Sequence, residues 1–181
     1  YVMLFCNEHF IGCDPEHVYR IYTSNDNGKS FQELCIIPFD TVGRGYGSLL
    51  FDNEGNLHAY AYNEKAECEM DHAVSHDCGK TWSVCTPCHL EKGIRNPQTA
   101  LIDGVYILHG RSADYEGFVL YTSENGADWD EGCFVVRNKG AAAFYSNNLN
   151  LKDDKGNFLL VQYSDRYEAC CVNVMHLKLR I

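Results

Sequence analysis

One short pattern occurs three times along this 181-residue chain and constrains its fold more than any other feature. The copies span residues 24–31, 75–82 and 123–129, and the first two fit S-x-D-x-G-x-[ST]-[WF]. The third copy is one residue shorter and has Asn125 in the Asp place. The leading serines lie 51 and 48 residues apart. A period of about 50 residues with several short strands per unit is typical of propeller blades.

Each copy follows a stretch in which apolar and polar residues alternate, and a second apolar stretch comes after it. This arrangement predicts a hairpin turn between two β-strands. Within the turn we expect the Asp or Asn side chain to accept backbone N–H hydrogen bonds and the Gly to adopt a positive φ. The Trp or Phe ring is expected to pack between neighbouring sheets. All of these are folding roles, so we interpret the pattern as structural.

Other segments repeat as well, because residues 45–64, 96–112 and 144–165 each read as strand, turn and strand. No strong helical pattern and no linker interrupts them. The sequence therefore predicts an all-β fold, a propeller of about three and a half four-stranded blades, in one domain over residues 1–181.

Charge and composition limit the partners. The net charge is −10 and no cluster of Lys and Arg occurs, so a nucleic-acid partner is not expected. No apolar run approaches the length of a membrane span, so no membrane partner is expected either. The sequence gives no indication of the oligomeric state.

The ten cysteines admit two interpretations. Their spacing does not resemble a small disulfide scaffold, which favours free, buried thiols over disulfides. Free thiols and the lack of a visible signal peptide favour a cytoplasmic location, although a chain that opens on Tyr1 is also compatible with a missing leader. Cys85, Cys88 and His89 resemble half a zinc site without a second half, so neither a metal nor another cofactor is predicted.

The triplicated pattern resembles the Asp-box of sialidases, also called the bacterial neuraminidase repeat. Sialidase propellers have six blades, so the resemblance implies that this chain is the C-terminal portion of such a propeller. Three copies at blade spacing make the resemblance specific.

Alignment of the repeats also predicts which residues lie at the inner strand ends, where propellers bind small ligands. The candidates are Arg44, Tyr46, Arg95 and Tyr145 on first strands and Glu64 and Arg111 after second strands. Tyrosines, arginines and a carboxylate together suit a polar, acidic sugar, because a guanidinium matches a carboxylate in shape and charge.

The resemblance implies roles for three of these residues. Residues 110–129 resemble the sialidase segment whose arginine binds the substrate carboxylate, which implies Arg111 as the clamp. Residues 142–164 resemble the segment that carries the nucleophilic tyrosine, which implies Tyr145. A neutral tyrosine approaches an anionic sugar without repulsion, but a phenol with a pKa of about 10 needs a base. Glu64 is the candidate base. The sialidase places for the glutamate and for a second arginine hold Tyr46 and Tyr62 in this chain, and Glu64 lies just beyond Tyr62.

We therefore expect a sialidase-like glycoside hydrolase that acts on a terminal, acidic sugar of glycans, with Arg95, Arg44 and Tyr46 as further substrate contacts. Two alternatives remain open. One is a non-catalytic glycan-binding propeller, and the other is a lyase or a different exo-glycosidase on the same scaffold.

Overall fold

The computed structural model describes residues 1–6, 18–39, 46–138, 143–168 and 171–181, and the regular structure in these ranges is entirely β-strand. The strands are β1 (Val2–Cys6), β2 (Val18–Thr23), β3 (Gln32–Ile37), β4 (Gly47–Phe51), β5 (Leu57–Ala61), β6 (Glu69–Ser75), β7 (Cys88–His89), β8 (Arg95–Ile102), β9 (Val105–Arg111), β10 (Gly117–Ser123), β11 (Cys133–Arg137), β12 (Ser146–Asp153), β13 (Gly156–Glu168) and β14 (Cys171–Leu179).

Four sheets are built from consecutive strands. Strands β1 to β3 form a three-stranded sheet, β4 to β7 and β8 to β11 form four-stranded sheets, and β12 to β14 form a second three-stranded sheet. Neighbouring strands are antiparallel and joined in chain order, as predicted from the series of hairpins. The chain divides into two compact units, residues 1–88 and 89–181, each with two sheets. The single-domain assignment over 1–181 stays a prediction.

The core of the first unit lies between its two sheets. Residues of β2 and β3, such as Ile21 and Ile37, pack with Ala59 and Ala73 of the second sheet. Trp82, at the end of the second copy of the turn pattern, packs against this cluster, as predicted. The turn residue thereby helps to hold the two sheets of this unit together.

The core of the second unit is more aromatic. Phe118, Phe144 and Tyr163 join a buried cluster that includes Ile107 and Val161. The rings of Phe118 and Tyr163 stack with centroids 4.6 Å apart. Residue Phe144 is 1% exposed and immediately precedes Tyr145, so this core fixes the backbone from which the Tyr145 side chain projects.

The hydrogen bonds predicted for the repeated turn are present. Asp26 Oδ1 accepts two backbone N–H groups at 3.0 and 2.9 Å, and Asp77 Oδ1 accepts two at 3.0 and 2.8 Å. Asn125 Oδ1 does the same at 2.9 and 2.8 Å. Hydrogen bonds, first among them that from the Thr81 backbone, lower the pKa of Asp77 to about 2. The shortened third copy is therefore the same kind of turn.

Two details of the turns complete this comparison. The glycines have positive φ as predicted, 82° at Gly28, 85° at Gly79 and 73° at Gly126. The first aromatic residue differs from expectation: Phe31 is 47% exposed, and its ring end lies 3.9 Å from the place of a Gly28 Cβ. This ring rests on its own turn, so the prediction that it packs between sheets is wrong.

Cysteine side chains within the described part of the chain are free thiols, namely Cys35, Cys68, Cys78, Cys85, Cys88 and Cys133. Free thiols were the favoured interpretation, and for these six it is confirmed. The expectation that the thiols are buried is wrong for Cys68, Cys78 and Cys133, which are exposed. In the part of the chain that the structure describes, no group of three or more His, Cys, Asp or Glu side chains could hold a metal ion. A search of the described segments finds no helix that could cross a membrane.

Candidate active site at the hairpin ends

Three hairpins end in the same way, with one residue of the first strand paired to one residue of the second. Tyr62 donates its backbone N–H to the Tyr46 carbonyl at 2.9 Å, in the first unit. In the second unit Arg95 pairs with Arg111, and the Ser164 N–H donates to the Tyr145 carbonyl at 3.0 Å. The repeat alignment predicted these end positions.

A β-bulge shapes the second of these hairpin ends. The β8–β9 register shifts between Arg95 and Gln98, so that the chain of β8 bends at Asn96. Asn96 has a φ of 45°, a left-handed conformation that asparagine tolerates better than most residues. Opposite the bulge, a Cβ on Gly110 would lie 2.8 Å from the Arg95 carbonyl oxygen and 2.9 Å from that of Asn96. Glycine is therefore required for this close approach.

Arg111 is the most deeply buried charged residue of this region, with 2% of its surface exposed. Its Nη1 lies 3.5 Å from the Ala143 carbonyl oxygen. The Nε and Nη2 atoms are buried, and neither has a hydrogen-bond partner among the described residues. Because burying a guanidinium without full pairing is costly, these two donors point to a function beyond packing.

Two tyrosine rings enclose the Arg111 guanidinium. Its Cζ lies 5.1 Å from the ring centroid of Tyr115 and 5.4 Å from that of Tyr145. Cation–π attraction at these distances stabilises the buried charge. The Arg95 Cζ lies 4.5 Å from the same Tyr115 ring, and its Nη1 donates to the Tyr115 hydroxyl. Two guanidinium groups thus share one aromatic neighbour.

Tyr145 presents its ring to solvent beside this cationic cluster, with 41% of its surface exposed. Its backbone is held firmly, because its N–H donates to Ser164 Oγ at 3.1 Å while the Phe144 N–H donates to the Ser164 carbonyl at 2.7 Å. Phe144 has a φ of 67°, so the chain turns sharply just before the tyrosine. An exposed phenol on an anchored backbone next to a guanidinium is a suitable position for a group that meets a ligand.

Asn96, which lies next to Arg95 at this strand end, adds a polar atom to the site. It is 6% exposed, and its Nδ2 donates to the Phe144 carbonyl oxygen at 3.0 Å. Its Oδ1 is buried without a hydrogen-bond partner among the described residues. A Pro in the middle of a strand pattern, here Pro97, signals a bulge and was the available clue to this geometry. For Tyr115, which lies in an irregular loop, no comparable sequence signal exists.

The first unit carries different chemistry at the matching place. The Tyr46 and Tyr62 rings lie 6.4 Å apart, and the Tyr62 hydroxyl donates to Glu67 Oε1. Glu64, the predicted base, is exposed, and the carboxylate that contacts a tyrosine here is Glu67. Arg44 lies outside the described residues. The structure thus brings together Arg95, Arg111 and Tyr145, while the roles of Glu64, Tyr46 and Arg44 stay predictions.

Comparisons with known proteins reveal similarity at the level of structure. No protein-family model and no curated protein sequence matches the chain. Among solved structures, the NanB sialidase of Streptococcus pneumoniae (K499G mutant) matches with a TM-score of 0.64 and 16% identity, over 90% of this chain and 26% of that one.

Two further structures extend this result. An α-L-arabinanase of Penicillium chrysogenum complexed with arabinobiose has a TM-score of 0.62 and 15% identity, over 89% of this chain and 54% of that one. An intramolecular trans-sialidase of Ruminococcus gnavus in complex with oseltamivir carboxylate has a TM-score of 0.60 and 16% identity, over 92% of this chain and 38% of that one.

These similarities establish the fold. The chain has the all-β fold of a sialidase-like propeller, as predicted, and it spans about half or less of each of these three structures. Because the same fold also occurs in a polysaccharide lyase, the fold is compatible with more than one reaction on carbohydrates.

Proposed function

We propose that this chain is part of a carbohydrate-active propeller that binds a terminal, acidic sugar of glycans, and that it contributes to sialidase-like hydrolysis of the glycosidic bond. The observation that carries this proposal is the buried Arg111 guanidinium, with two unsatisfied donors, 5.4 Å from the exposed Tyr145 ring. A planar pair of N–H donors is the arrangement that a sugar carboxylate requires.

Each site residue has a role in this proposal. Arg111 binds the carboxylate, and Arg95 adds a second positive charge. Tyr145 attacks the anomeric carbon: its hydroxyl oxygen bonds to that carbon as the glycosidic C–O bond breaks, the phenol proton passes to a carboxylate base, and the departing oxygen takes a proton from solvent. Water then attacks the same carbon, which releases the sugar and returns a proton to the Tyr145 oxygen. We assign the base role to Glu64 and further sugar contacts to Tyr46 and Arg44, on the sequence resemblance alone.

A non-catalytic glycan-binding propeller is the main alternative. The observation that favours it is at the first-unit hairpin end, where Glu67 already accepts a hydrogen bond from Tyr62. The sequence resemblance puts Tyr46 at the place of the sialidase glutamate. A lyase is the other alternative, because a polysaccharide lyase shares the fold at 17% identity and a TM-score of 0.53. In that reaction Tyr145 would transfer a proton rather than attack carbon.

The proposal is tested by screening the full chain against chromogenic sialosides and uronides, with two variants. Tyr145→Phe should remove turnover and leave sugar binding nearly intact, because only the hydroxyl is lost. Tyr1→Phe is the matched control, since Tyr1 is comparably exposed at 51% against 41%, and should hydrolyse as the parent does. Undiminished hydrolysis by Tyr145→Phe would refute the nucleophile. Binding without turnover in the parent would favour the non-catalytic alternative.

A further inference from the structure

Tyr115 occupies an unusual place relative to the two arginines of the second unit. Arg95 Nη1 donates to the Tyr115 hydroxyl oxygen, and the ring centroid lies 4.5 Å from the Arg95 Cζ and 5.1 Å from the Arg111 Cζ. A phenol oxygen bonded to a guanidinium occupies the place that an oxygen atom of an anionic ligand would take. The ring, with its negative face, meets both cations in the same region.

Burial shows that this arrangement closes the site. Arg111 is 2% exposed and Arg95 is 8% exposed. The Arg111 Nε and Nη2 donors are inaccessible to solvent, although no described residue accepts their hydrogen bonds. A sugar carboxylate therefore cannot reach these donors unless a neighbouring side chain moves. Tyr115 is the neighbour that contacts both arginines.

The backbone around Tyr115 is anchored, so the side chain is the part that can move. Ser112 Oγ accepts the backbone N–H of Glu116 at 3.0 Å and that of Gly117 at 3.1 Å. Asp114 Oδ1 also accepts the Glu116 N–H at 3.0 Å. The Tyr115 N–H donates to the Ser112 carbonyl oxygen at 3.1 Å. The loop thus holds its shape, while Tyr115 itself is half-buried.

We propose that Tyr115 occupies the anion site of the free protein and that the carboxylate of an acidic sugar replaces it. This inference rests on the proposed function, because it concerns the same two arginines. A carboxylate is a stronger acceptor than a phenol for guanidinium donors, since its hydrogen bonds are charge-assisted. Rotation of the ring exposes Arg111 Nε and Nη2, and a neutral sugar lacks the group that would replace the phenol. Tyr115 is therefore a positioning residue that favours acidic ligands over neutral ones.

The first test needs no sugar. Phenylglyoxal, which modifies accessible guanidinium groups, is applied to the full chain and to Tyr115→Gly, and mass spectrometry identifies the labelled arginines. Glycine suits the positive φ of 61° at this position, so the variant keeps the loop conformation. Arg111 should be protected in the parent and labelled in Tyr115→Gly at a rate approaching that of Arg137. The Arg137 side chain is 67% exposed and should react equally in both proteins. Continued protection of Arg111 in Tyr115→Gly would overturn the proposal.

The second test is a calorimetric titration with N-acetylneuraminic acid, glucuronate and methyl glucoside. Tyr115→Gly should bind the two acids about threefold to tenfold more tightly than the parent, because the ligand no longer displaces a cation–π contact. Tyr115→Phe, which loses only the hydroxyl, should show a smaller gain, and the neutral glucoside should show none. Weaker acid binding by Tyr115→Gly would overturn the proposal, since the ring would then be a ligand contact. If Arg111 becomes exposed in Tyr115→Gly but neither the parent nor either variant binds the acids, the proposed function would instead be refuted.

Discussion

Each unit of this chain has a hairpin whose two strands end in a directly paired couple of residues, but the side chains of that couple differ. In the first unit Tyr46 pairs with Tyr62, and Glu67 accepts a hydrogen bond from the Tyr62 hydroxyl. In the second unit Arg95 pairs with Arg111, and the Tyr115 hydroxyl accepts a hydrogen bond from Arg95. The strand register fixes the position in both units, whereas the side chains decide whether a carboxylate or two guanidinium groups lie there.

The two hairpins also differ in their backbone, because only the β8–β9 ladder of these two contains a bulge. The β4–β5 ladder runs without a shift from Phe51 to Gly47, and Ala61 precedes the end residue Tyr62. In the β8–β9 ladder Gly110 takes the place of Ala61, and a bulge brings the carbonyls of Arg95 and Asn96 against it. The cationic hairpin end of the second unit thus has a bulge and a glycine that the matching hairpin end of the first unit lacks.

Acid should destabilise both units through buried histidines. Burial lowers the pKa of His72 to about 4 and that of His109 to about 3, from an ordinary 6.5. The unfolded chain therefore takes up these protons more readily, so the free energy of unfolding falls as the pH drops below 6.5. Between pH 7 and pH 4 each histidine should contribute a loss of about 3 kcal/mol. Urea unfolding at pH 7, 5.5 and 4 measures this loss.

Variants of the two histidines distinguish how much each unit contributes to this pH dependence of stability. His72 Nε2 lies 3.0 Å from His58 Nδ1, and His58 Nε2 lies 3.4 Å from Asp52, a carboxylate that favours the charged form of this pair. Among the described residues, the ring nitrogens of His109 hydrogen-bond to the neutral groups of Ser146 and Asn148, at 3.0 and 2.9 Å. His109→Gln should therefore flatten the pH dependence more than His72→Gln. The reverse order would show that the second-unit histidine is not the more strongly desolvated one.

Gly110→Ala should disrupt the bulge that distinguishes the second unit. The added Cβ would meet two backbone carbonyls at 2.8 and 2.9 Å, and neither can move without opening the β8–β9 ladder. We expect a loss of about 2 kcal/mol in the free energy of unfolding and weaker acidic-sugar binding. Ala61→Gly is the control in the first unit and should cost about 1 kcal/mol or less, without an effect on binding. Equal stability of Gly110→Ala and its parent would contradict the account of the bulge.

Tyr62→Phe should have the smallest effect. It removes the hydroxyl that donates to Glu67 in a buried position, which should lower the free energy of unfolding by about 1 kcal/mol. Acidic-sugar affinity, measured by calorimetry, should stay that of the parent, because the paired residues at this hairpin end are tyrosines rather than arginines. A fall in affinity as large as that of an Arg111 variant would place the anion site in both units.

Much of this architecture could be predicted from the sequence. Turn residues such as Asp77 and Gly79 act through bonds within eight residues, so a local pattern records them. The positions of Arg111 and Tyr145 at hairpin ends followed from the repeat because strand register is periodic.

Other features could not be predicted, because they depend on contacts between distant segments. Tyr115 reaches Arg95 from a loop 20 residues away, and Asn96 contacts Phe144 across 48 residues. The hydrogen bond between Tyr62 and Glu67 is local, but the sequence does not single it out. Glu64 and Glu67 lie in one acidic loop, and only the folded chain shows that Glu67 contacts Tyr62.

The central claim is that the buried Arg111 guanidinium binds the acidic group of a sugar. Nuclear magnetic resonance of arginine Nε–H signals in the full chain, during titration with N-acetylneuraminic acid and then with methyl glucoside, tests it directly. The account predicts that the acid shifts the Arg111 Nε–H signal, that the Arg137 signal stays in place, and that the neutral glucoside moves neither. An Arg111 signal that is unchanged by the acid, or that responds equally to both sugars, would contradict it.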